Sequence, residues 1–342
     1  MSDFITTLIA SIFVFGLLII FHELGHFIIA KSVNIKVNEF SVGFGPILLK
    51  KSRGETLYSI RALPLGGYVK MEGEDEASED ERSFSKKPPL HKMAVIAAGP
   101  IMNFVLAILL IALIGFFAGV ATTEIGAVVA GSPAEQSGIK PGDRIVSIND
   151  IKITQWEQVV NIIGSSPEKT LKIVVERNER LETYNVRPIK KTMRNGGYRG
   201  IIGIESRVKK YSIIVSLENG IQRTYWMTKM IFLGLINMIL GKVKPDVVGP
   251  VGIIHIVGEA AKIGFLNLIY LASIISINLG LFNLLPIPAL DGSRLLFILI
   301  EGLRGKPIDP EKEGLIHLIG FAILMMLMVF IAYKDFIRFD LL

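Results

Sequence analysis

Four stretches of the chain are long, apolar and almost free of charge: Phe4 to Ala30, Met93 to Val120, Phe265 to Leu285 and Leu315 to Ala332. Each is close to or longer than the roughly 20 apolar residues that a spanning helix needs, so four transmembrane helices are predicted. The first is not a cleaved leader. Its apolar run is too long, no basic residue precedes it, and no small-residue cleavage site follows before Lys31. Between the first two stretches the period changes from helical to alternating. Glu55-Thr-Leu-Tyr-Ser-Ile-Arg-Ala-Leu63 reads as a strand, Pro64 and Gly66-Gly67 as a turn, and Tyr68-Val69-Lys70-Met71 as a second strand. The acidic run Glu72 to Glu81 reads as a solvated loop. After the second stretch, turn residues at Gly131-Ser132-Pro133 and Gly138 to Asp143, with strands Arg144 to Ile148 and Leu171 to Glu176, predict a compact α+β domain. From about Tyr211 to Lys262 the spacing of Met227, Met230, Ile231 and Leu235 is helical again.

Composition agrees with this division. Of 342 residues, 51% are hydrophobic and only 20% charged, and the mean hydropathy is +0.51, which excludes a disordered chain and an ordinary soluble enzyme. The net charge of +6 comes mostly from basic residues flanking the apolar stretches, with no basic patch interleaved with aromatics, so no nucleic-acid partner is expected. The flanks set topology instead. Lys31, Lys36, Lys86, Lys87 and Lys92 bracket the segment between the first two stretches, while nothing basic precedes the first or follows the second until Lys140. The positive-inside rule puts the N-terminus outside, residues 31–92 in the cytoplasm and about 121–264 outside. With no cysteine, a metal would have to be held by His, Asp or Glu.

The chemistry concentrates at Phe21-His22-Glu23-Leu24-Gly25-His26. Four residues apart on a helix, His22 and His26 share a face and can bind one Zn²⁺, with Glu23 beside it to take a proton from bound water. Three ionisable groups inside a spanning segment each cost about 2.5 to 3.5 kcal/mol on insertion scales, so they persist where something compensates. A catalytic zinc lacks one protein ligand with two histidines. His91, His255 and His317 lie on segments expected to be cytoplasmic, outer and mid-span, where a lone histidine is a surface or packing residue. Asp291, in Asn283-Leu-Leu-Pro-Ile-Pro-Ala-Leu-Asp291-Gly292, is better placed, because the third stretch runs from outside to inside like the first and ends at matching depth. Its other reading is a helix cap. Pro286 and Pro288 put irregular backbone at membrane depth, which is tolerated around a binding site. Asn103 and Asn283 are further polar groups at that depth, as support for substrate and transition state or as hydrogen-bonding partners between helices.

The H-E-x-x-H in a first span with N-x-x-P-x-P-x-L-D-G in a later one resembles the site-2 protease family of intramembrane metalloproteases, in its bacterial RseP type. The resemblance extends to Gly43-Phe44-Gly45, Gly66-Gly67-Tyr68-Val69, Gly99-Pro100-Ile101-Met102-Asn103, Gly249-Pro250-Val251-Gly252 and Ser276-Ile277-Asn278-Leu279-Gly280; Ser293 stands where many members carry a second glycine. It implies one Zn²⁺ per chain held by His22, His26 and Asp291, with Glu23 as catalytic acid and base and Asn283 near the substrate or the metal. The outer domain resembles a PDZ domain of the circularly permuted bacterial type, through Ser132-Pro-Ala, Ser137 to Asn149 and Gly200-Ile201-Ile202-Gly203-Ile204. The last of these would be the loop that holds a peptide carboxylate, unless the domain works as a size-excluding cap.

The expected fold is therefore a polytopic α-helical membrane protein with a small membrane-associated β element and one extracytoplasmic PDZ domain, in a bacterial inner membrane. Its expected division is helix 1 over 1–30, the cytoplasmic β region 31–92, helix 2 over 93–120, PDZ 121–208, an interfacial helical linker 209–264, helix 3 over 265–300, a cytoplasmic loop 301–314, and helix 4 with the C-terminus over 315–342. The expected reaction is zinc-dependent hydrolysis within the membrane segment of a single-span protein, such as an anti-sigma factor or a signal-peptide remnant, in regulated intramembrane proteolysis. An unwound substrate would pair with a strand, either Glu55, Thr56, Leu57, Tyr58, Ser59 and Ile60 or Gly66, Gly67, Tyr68 and Val69. The rival readings are a transporter, which would show paired interrupted segments in two halves, and a membrane-anchored scaffold with a structural metal, in which Glu23 would be dispensable.

Overall fold

The computed structural model describes residues 2–74, 78–192, 197–243, 247–306 and 309–339. In chain order the elements are α1 (Ser2–Ser32), β1 (Val37–Arg53), β2 (Thr56–Met71), α2 (Pro89–Phe117), β3 (Val120–Val128), α3 (Pro133–Gln136), β4 (Arg144–Ile148), β5 (Ile151–Lys152), α4 (Trp156–Gly164), β6 (Leu171–Arg177), β7 (Arg180–Val186), β8 (Ile189–Thr192), β9 (Tyr198–Ile201), β10 (Ile204–Lys209), α5 (Ile213–Ile239), α6 (Pro250–Ile263), α7 (Phe265–Leu284), α8 (Asp291–Arg304) and α9 (Pro310–Arg338). They form two units, one of Met1–Ile114 with Val215–Leu342 and one of Gly115–Ile214.

In the first unit, α1, α2, α7 and α9 are long and apolar enough to cross a membrane, which makes this a multi-pass membrane protein. Their bounds differ from the apolar runs. The helix of the second run starts at Pro89 and ends at Phe117, and Val120 already opens a strand; the third stops at Leu284, so 265–300 is not one helix but α7, a proline-broken turn and α8. Helices approach closely where a side chain is missing, as expected where packing between apolar helices must come from van der Waals contact. A Cβ on Gly25 would run into the Ala98 carbonyl, one on Gly280 would lie 2.9 Å from the Pro100 carbonyl oxygen, and one on Gly258 would strike Thr7. Val14, Leu18, Leu106, Val257, Ile269 and Ala272 fill the core between them.

The β element of this unit is a single long hairpin folded back on itself. β1 and β2 pair antiparallel from Arg53↔Thr56 to Val37↔Met71, while Glu39, Phe40, Ser41 and Val42 also pair with Leu57, Tyr58, Ser59 and Ile60. The fold falls at Gly43 and Gly45, both with positive φ; a Cβ on Gly43 would sit 2.8 Å from the Leu63 carbonyl oxygen. A polar seam holds it closed: Ser59 Oγ donates to Glu39 Oε1 (2.7 Å) and lies 3.0 Å from Ser41 Oγ, and Arg61 Nη2 donates to Glu39 Oε1 (2.7 Å). Across the sheet the segments run 67–71, 37–42, 56–60 and 47–53. Pro64 to Gly67, expected as a turn, lies within β2. The acidic run is also more anchored than expected: Glu72 accepts from Asn38 Nδ2 (2.9 Å) and Asp80 pairs with Lys36 (3.3 Å), with residues 75–77 lying outside the described residues.

The second unit has a sheet in the order β10-β3-β4-β6-β7, with β5 paired to β4, and a separate β8-β9 pair. Alternation in β6 buries Leu171, Ile173 and Val175 against Ile125, Ile145, Ile148 and Ile202. Ser132 caps α3, with Pro133 opening its first turn. Asp143 is 1% exposed and held by Arg177 through two hydrogen bonds of 2.7 Å, which raises the affinity of the guanidinium for its proton.

Candidate metal centre

The apolar helix α1 presents His22 and His26 one turn apart, and α8 begins at Asp291. Nε2 of His22 lies 3.2 Å from Nε2 of His26 and 3.2 Å from Asp291 Oδ2; His26 Nε2 lies 3.7 Å from the same oxygen. One ligand atom from each residue falls within 4.8 Å of the others. The side chains are 13%, 10% and 21% exposed, so the cluster is nearly closed to solvent.

Each imidazole is oriented through its other nitrogen. His26 Nδ1–H donates to the Val95 carbonyl on α2 (2.8 Å), which leaves the Nε2 lone pair facing the cluster. Asn103, fully buried on α2, brings its side-chain amide to 3.0 Å from His22 Nδ1. Its Oδ1 is buried with no hydrogen-bond partner. With the amide turned, Oδ1 accepts the His22 Nδ1 proton, satisfying the orphaned oxygen and giving His22 the same tautomer as His26. Asn103 is fixed in turn by α7, where Ser276 Oγ donates to its backbone carbonyl (2.7 Å).

The residues fit a metal ion. Asp291 Oδ2 is itself buried without a hydrogen-bond partner, an unmet acceptor facing two imidazole lone pairs. Two nitrogens and one carboxylate oxygen match a catalytic zinc with one position left open. Room for them comes from Gly99: a Cβ there would collide with His26 Nε2 and lie 2.9 Å from His22 Cε1. Gly292 serves Asp291 likewise, since a Cβ would collide with the Leu285 carbonyl. Neither spacing nor periodicity marks these two glycines; their signal in the sequence is the family resemblance, which includes Gly99-Pro100-Ile101-Met102-Asn103 and the Leu290-Asp291-Gly292 motif.

Glu23 stands on α1 beside the cluster, and the folded hairpin reaches it. A Cβ on Gly67 would sit 2.9 Å from Glu23 Cγ and 2.9 Å from Ile19 Cγ2, so the segment Gly67 to Met71 begins next to the Glu23 side chain. That segment pairs with 37–42 on one side and, among the described residues, with no strand on the other. The alternative strand is corrected by the same register. Leu57, Tyr58, Ser59 and Ile60 are paired on both sides, with 39–42 and with 49–52, so they offer no open edge; Thr56 pairs with Arg53, and its hydroxyl donates to the Val37 carbonyl (2.8 Å). Glu55 is in the hairpin turn and is tied to Lys31 (2.6 Å) and Arg82 (2.7 Å).

The other polar positions separate. Asn283, in the last turn of α7, is partly buried and makes no hydrogen bond to the three ligand side chains among the described residues. His91 begins α2, and the His255 ring packs on Phe339 with centroids 4.7 Å apart, away from the cluster. Gly200 and Ile201 close β9 and Ile204 opens β10; Ile202 is buried, and the carbonyls of Ile202 and Gly203 accept from the N–H groups of Ala134 (3.0 Å) and Val129 (2.9 Å).

Residues 10–327 match the family described as peptidase family M50. A zinc metalloprotease named RasP from Geobacillus kaustophilus is 34% identical, with all of both chains covered. A Bacillus subtilis protein named regulator of sigma-W protease RasP is 33% identical over 98% of this chain and 99% of its own. Among solved structures, the PDZ domain of an SdrC-like protein from Listeria monocytogenes covers 26% of this chain and 88% of that chain, at 21% identity and a TM-score of 0.21.

Proposed function

The chain belongs to peptidase family M50 and is a metalloprotease, and from that premise we propose that it cuts a peptide bond within or next to the membrane segment of a single-span protein, as a site-2 protease in regulated intramembrane proteolysis. One observation carries the reading: His22, His26 and Asp291 converge inside a bundle of apolar helices, with Glu23 beside them and an open strand edge beginning at Gly67. His22, His26 and Asp291 would hold one zinc. When bound there, zinc supplies a Lewis acid that polarises a carbonyl and acidifies water at neutral pH.

The remaining work falls to the chain's own groups. Glu23 accepts the proton of the attacking water at its carboxylate and delivers it to the leaving amide nitrogen. Asn103 keeps His22 in the ligating tautomer, and Asn283, in the last turn of α7, supports the substrate. The edge strand solves the problem a helical substrate poses. Unwinding a helix in lipid leaves N–H and C=O groups unpaired at several kcal/mol each, and the open side of Gly67 to Met71 offers backbone partners next to Glu23. The substrate reading extends to anti-sigma factors and signal-peptide remnants, which present one short apolar span. The positive-inside flanks support a site near the cytoplasmic face of a bacterial inner membrane, with the N-terminus and residues 115–214 outside. For that outer unit we propose the PDZ reading, because Gly200 to Ile204 leads into β10, which ends the sheet and leaves an edge for strand addition or for a size-excluding cap.

The test is cleavage of a single-span substrate in detergent by full-length protein carrying a proline at successive positions from Gly67 to Lys70. Substitutions that remove an outward N–H are expected to lower cleavage at least tenfold while zinc content is unchanged. Full cleavage by every folded proline variant would overturn strand addition, and loss of cleavage together with zinc would show a merely structural role.

A further inference from the structure

We infer that His317 on α9 is a positioning residue for the third metal ligand, holding the backbone turn that aims Asp291 at His22 and His26; this rests on the metal-centre reading above. Between α7 and α8 the chain cannot hold its own shape by regular hydrogen bonds. Pro286 and Pro288 have no N–H to donate. Ile287 and Leu290 donate within the turn, to Leu285 (2.7 Å) and Ile287 (3.1 Å). Ala289 is different. It adopts φ +73°, a left-handed conformation that a residue with a Cβ rarely takes, and its N–H leaves the turn to donate to His317 Nδ1 at 3.1 Å. Asp291 follows two residues later. An unusual backbone conformation next to a ligand persists only where its surroundings over-determine it, and this hydrogen bond is an anchor from outside the segment.

The anchor is itself set. The Phe297 ring of α8 packs edge-on against the imidazole, with centroids 5.6 Å apart. Nε2 faces the Glu313 carboxylate one turn earlier on α9, at 3.7 Å. The Ala289 N–H requires Nδ1 as its acceptor, which puts the imidazole proton on Nε2, buried without a hydrogen-bond partner and on the side of that carboxylate. Next along α9, Gly320 lets Pro288 pack against the helix, since a Cβ there would collide with the proline ring. Only 6% of the apolar window of α9 is buried, so a polar contact and a glycine notch on the same short stretch are a local device rather than general packing. In sequence, His317 reads as a mid-span packing residue; the structure places it against the ligand turn.

The experiment uses the full chain in detergent and reads zinc itself, by its transfer rate to a chromophoric chelator. His317→Leu keeps the bulk and removes the acceptor, while His317→Asn presents Oδ1 near the place of Nδ1. Zinc release is expected to be about tenfold faster in His317→Leu, the lower end for losing an outer-shell partner, and within about threefold of wild type in His317→Asn. Equal release from wild type and a folded His317→Leu, or equal acceleration in both variants, would overturn the inference. Should His317→Leu fail to fold, the cobalt-substituted absorption spectrum of His317→Asn and of His317→Gln decides: an unchanged ligand-field band in the asparagine protein with a shifted one in the glutamine protein supports the inference, and a shift in both overturns it. Asp291→Asn is the separate control. If it binds zinc as wild type does, the metal-centre reading fails, and this inference with it.

Discussion

Replacing Gly99 by alanine gives a sharp test of how the metal centre is built. The new methyl would lie 2.9 Å from His22 Cε1 and closer still to His26 Nε2, whereas carbon atoms settle at about 3.5 Å or more. The His22 ring would have to retreat by about 0.6 Å and the His26 ring by more, and metal sites tolerate about 0.2 Å. Neither ring is free to yield. His26 is tied through Nδ1 to the Val95 carbonyl of α2 (2.8 Å), and His22 Nδ1 lies 3.0 Å from the Asn103 side-chain amide of the same helix. We expect zinc affinity to fall about 100-fold, or about 2.7 kcal/mol. Glycine to alanine within a helix favours the helix by up to about 1 kcal/mol, so the loss of metal should come without loss of fold. Competition against a chelator of known affinity, run beside thermal unfolding of the metal-free protein, reads both. Gly16→Ala, with nothing within 4 Å of its new methyl, should leave zinc unchanged. A folded Gly99→Ala protein that holds zinc as tightly as wild type would show that Gly99 does not make room for the two imidazoles.

Two further outcomes follow from the shells around the site. Asn103→Leu should weaken zinc binding about 10-fold to 100-fold, while Asn103→Asp, which keeps an acceptor for the His22 Nδ1 proton, should retain most of it; chelator competition distinguishes them, and equal losses would remove the hydrogen bond from the account. For the folded hairpin, burial pushes the Glu39 carboxyl up, but hydrogen bonds from Ser59 and Arg61 outweigh it and hold it below the ordinary carboxylate value. A lowered native pKa means stability that is present above the unfolded value near 4.5 and is lost as pH falls through the native one. Amide exchange at residues 39–42 and 56–60 should therefore speed up on acidification below that range in wild type beyond the intrinsic rate, and should lack this step in Glu39→Gln.

The convergence of His22, His26 and Asp291 was legible because its chemistry is carried by residue types at fixed spacing. His22 and His26 one turn apart, and Asp291 after two prolines in an apolar run, point to one depth before any coordinates are known. The orientation of those ligands was not. Val95 acts through a backbone carbonyl and Ala289 through a backbone N–H, and every residue type but proline offers the latter. Gly99 and Gly67 act by what they lack. The strand reading failed for a different reason: Glu55 to Leu63 alternates as well as Tyr68 to Met71, but edge or interior is decided by how the hairpin folds at Gly43 and Gly45 and by pairing between Glu39 and Leu57. Local alternation carries no such information. The end of α7 shows the same limit, since an apolar run continues to the eye from Phe265 to Leu285 while the prolines beyond it start a turn and a new helix at Asp291.

Comparing wild type with Glu23→Gln separates a zinc-dependent protease from a membrane-anchored scaffold that merely holds a metal. Each is purified in detergent, assayed for zinc per chain, and incubated with a helix-destabilised single-span substrate with and without a chelator. We expect one zinc per chain in both proteins, with cleavage by wild type alone and none after chelation. Cleavage by Glu23→Gln at the wild-type rate, or one bound zinc in a wild-type protein that cuts none of several such substrates, would contradict that expectation.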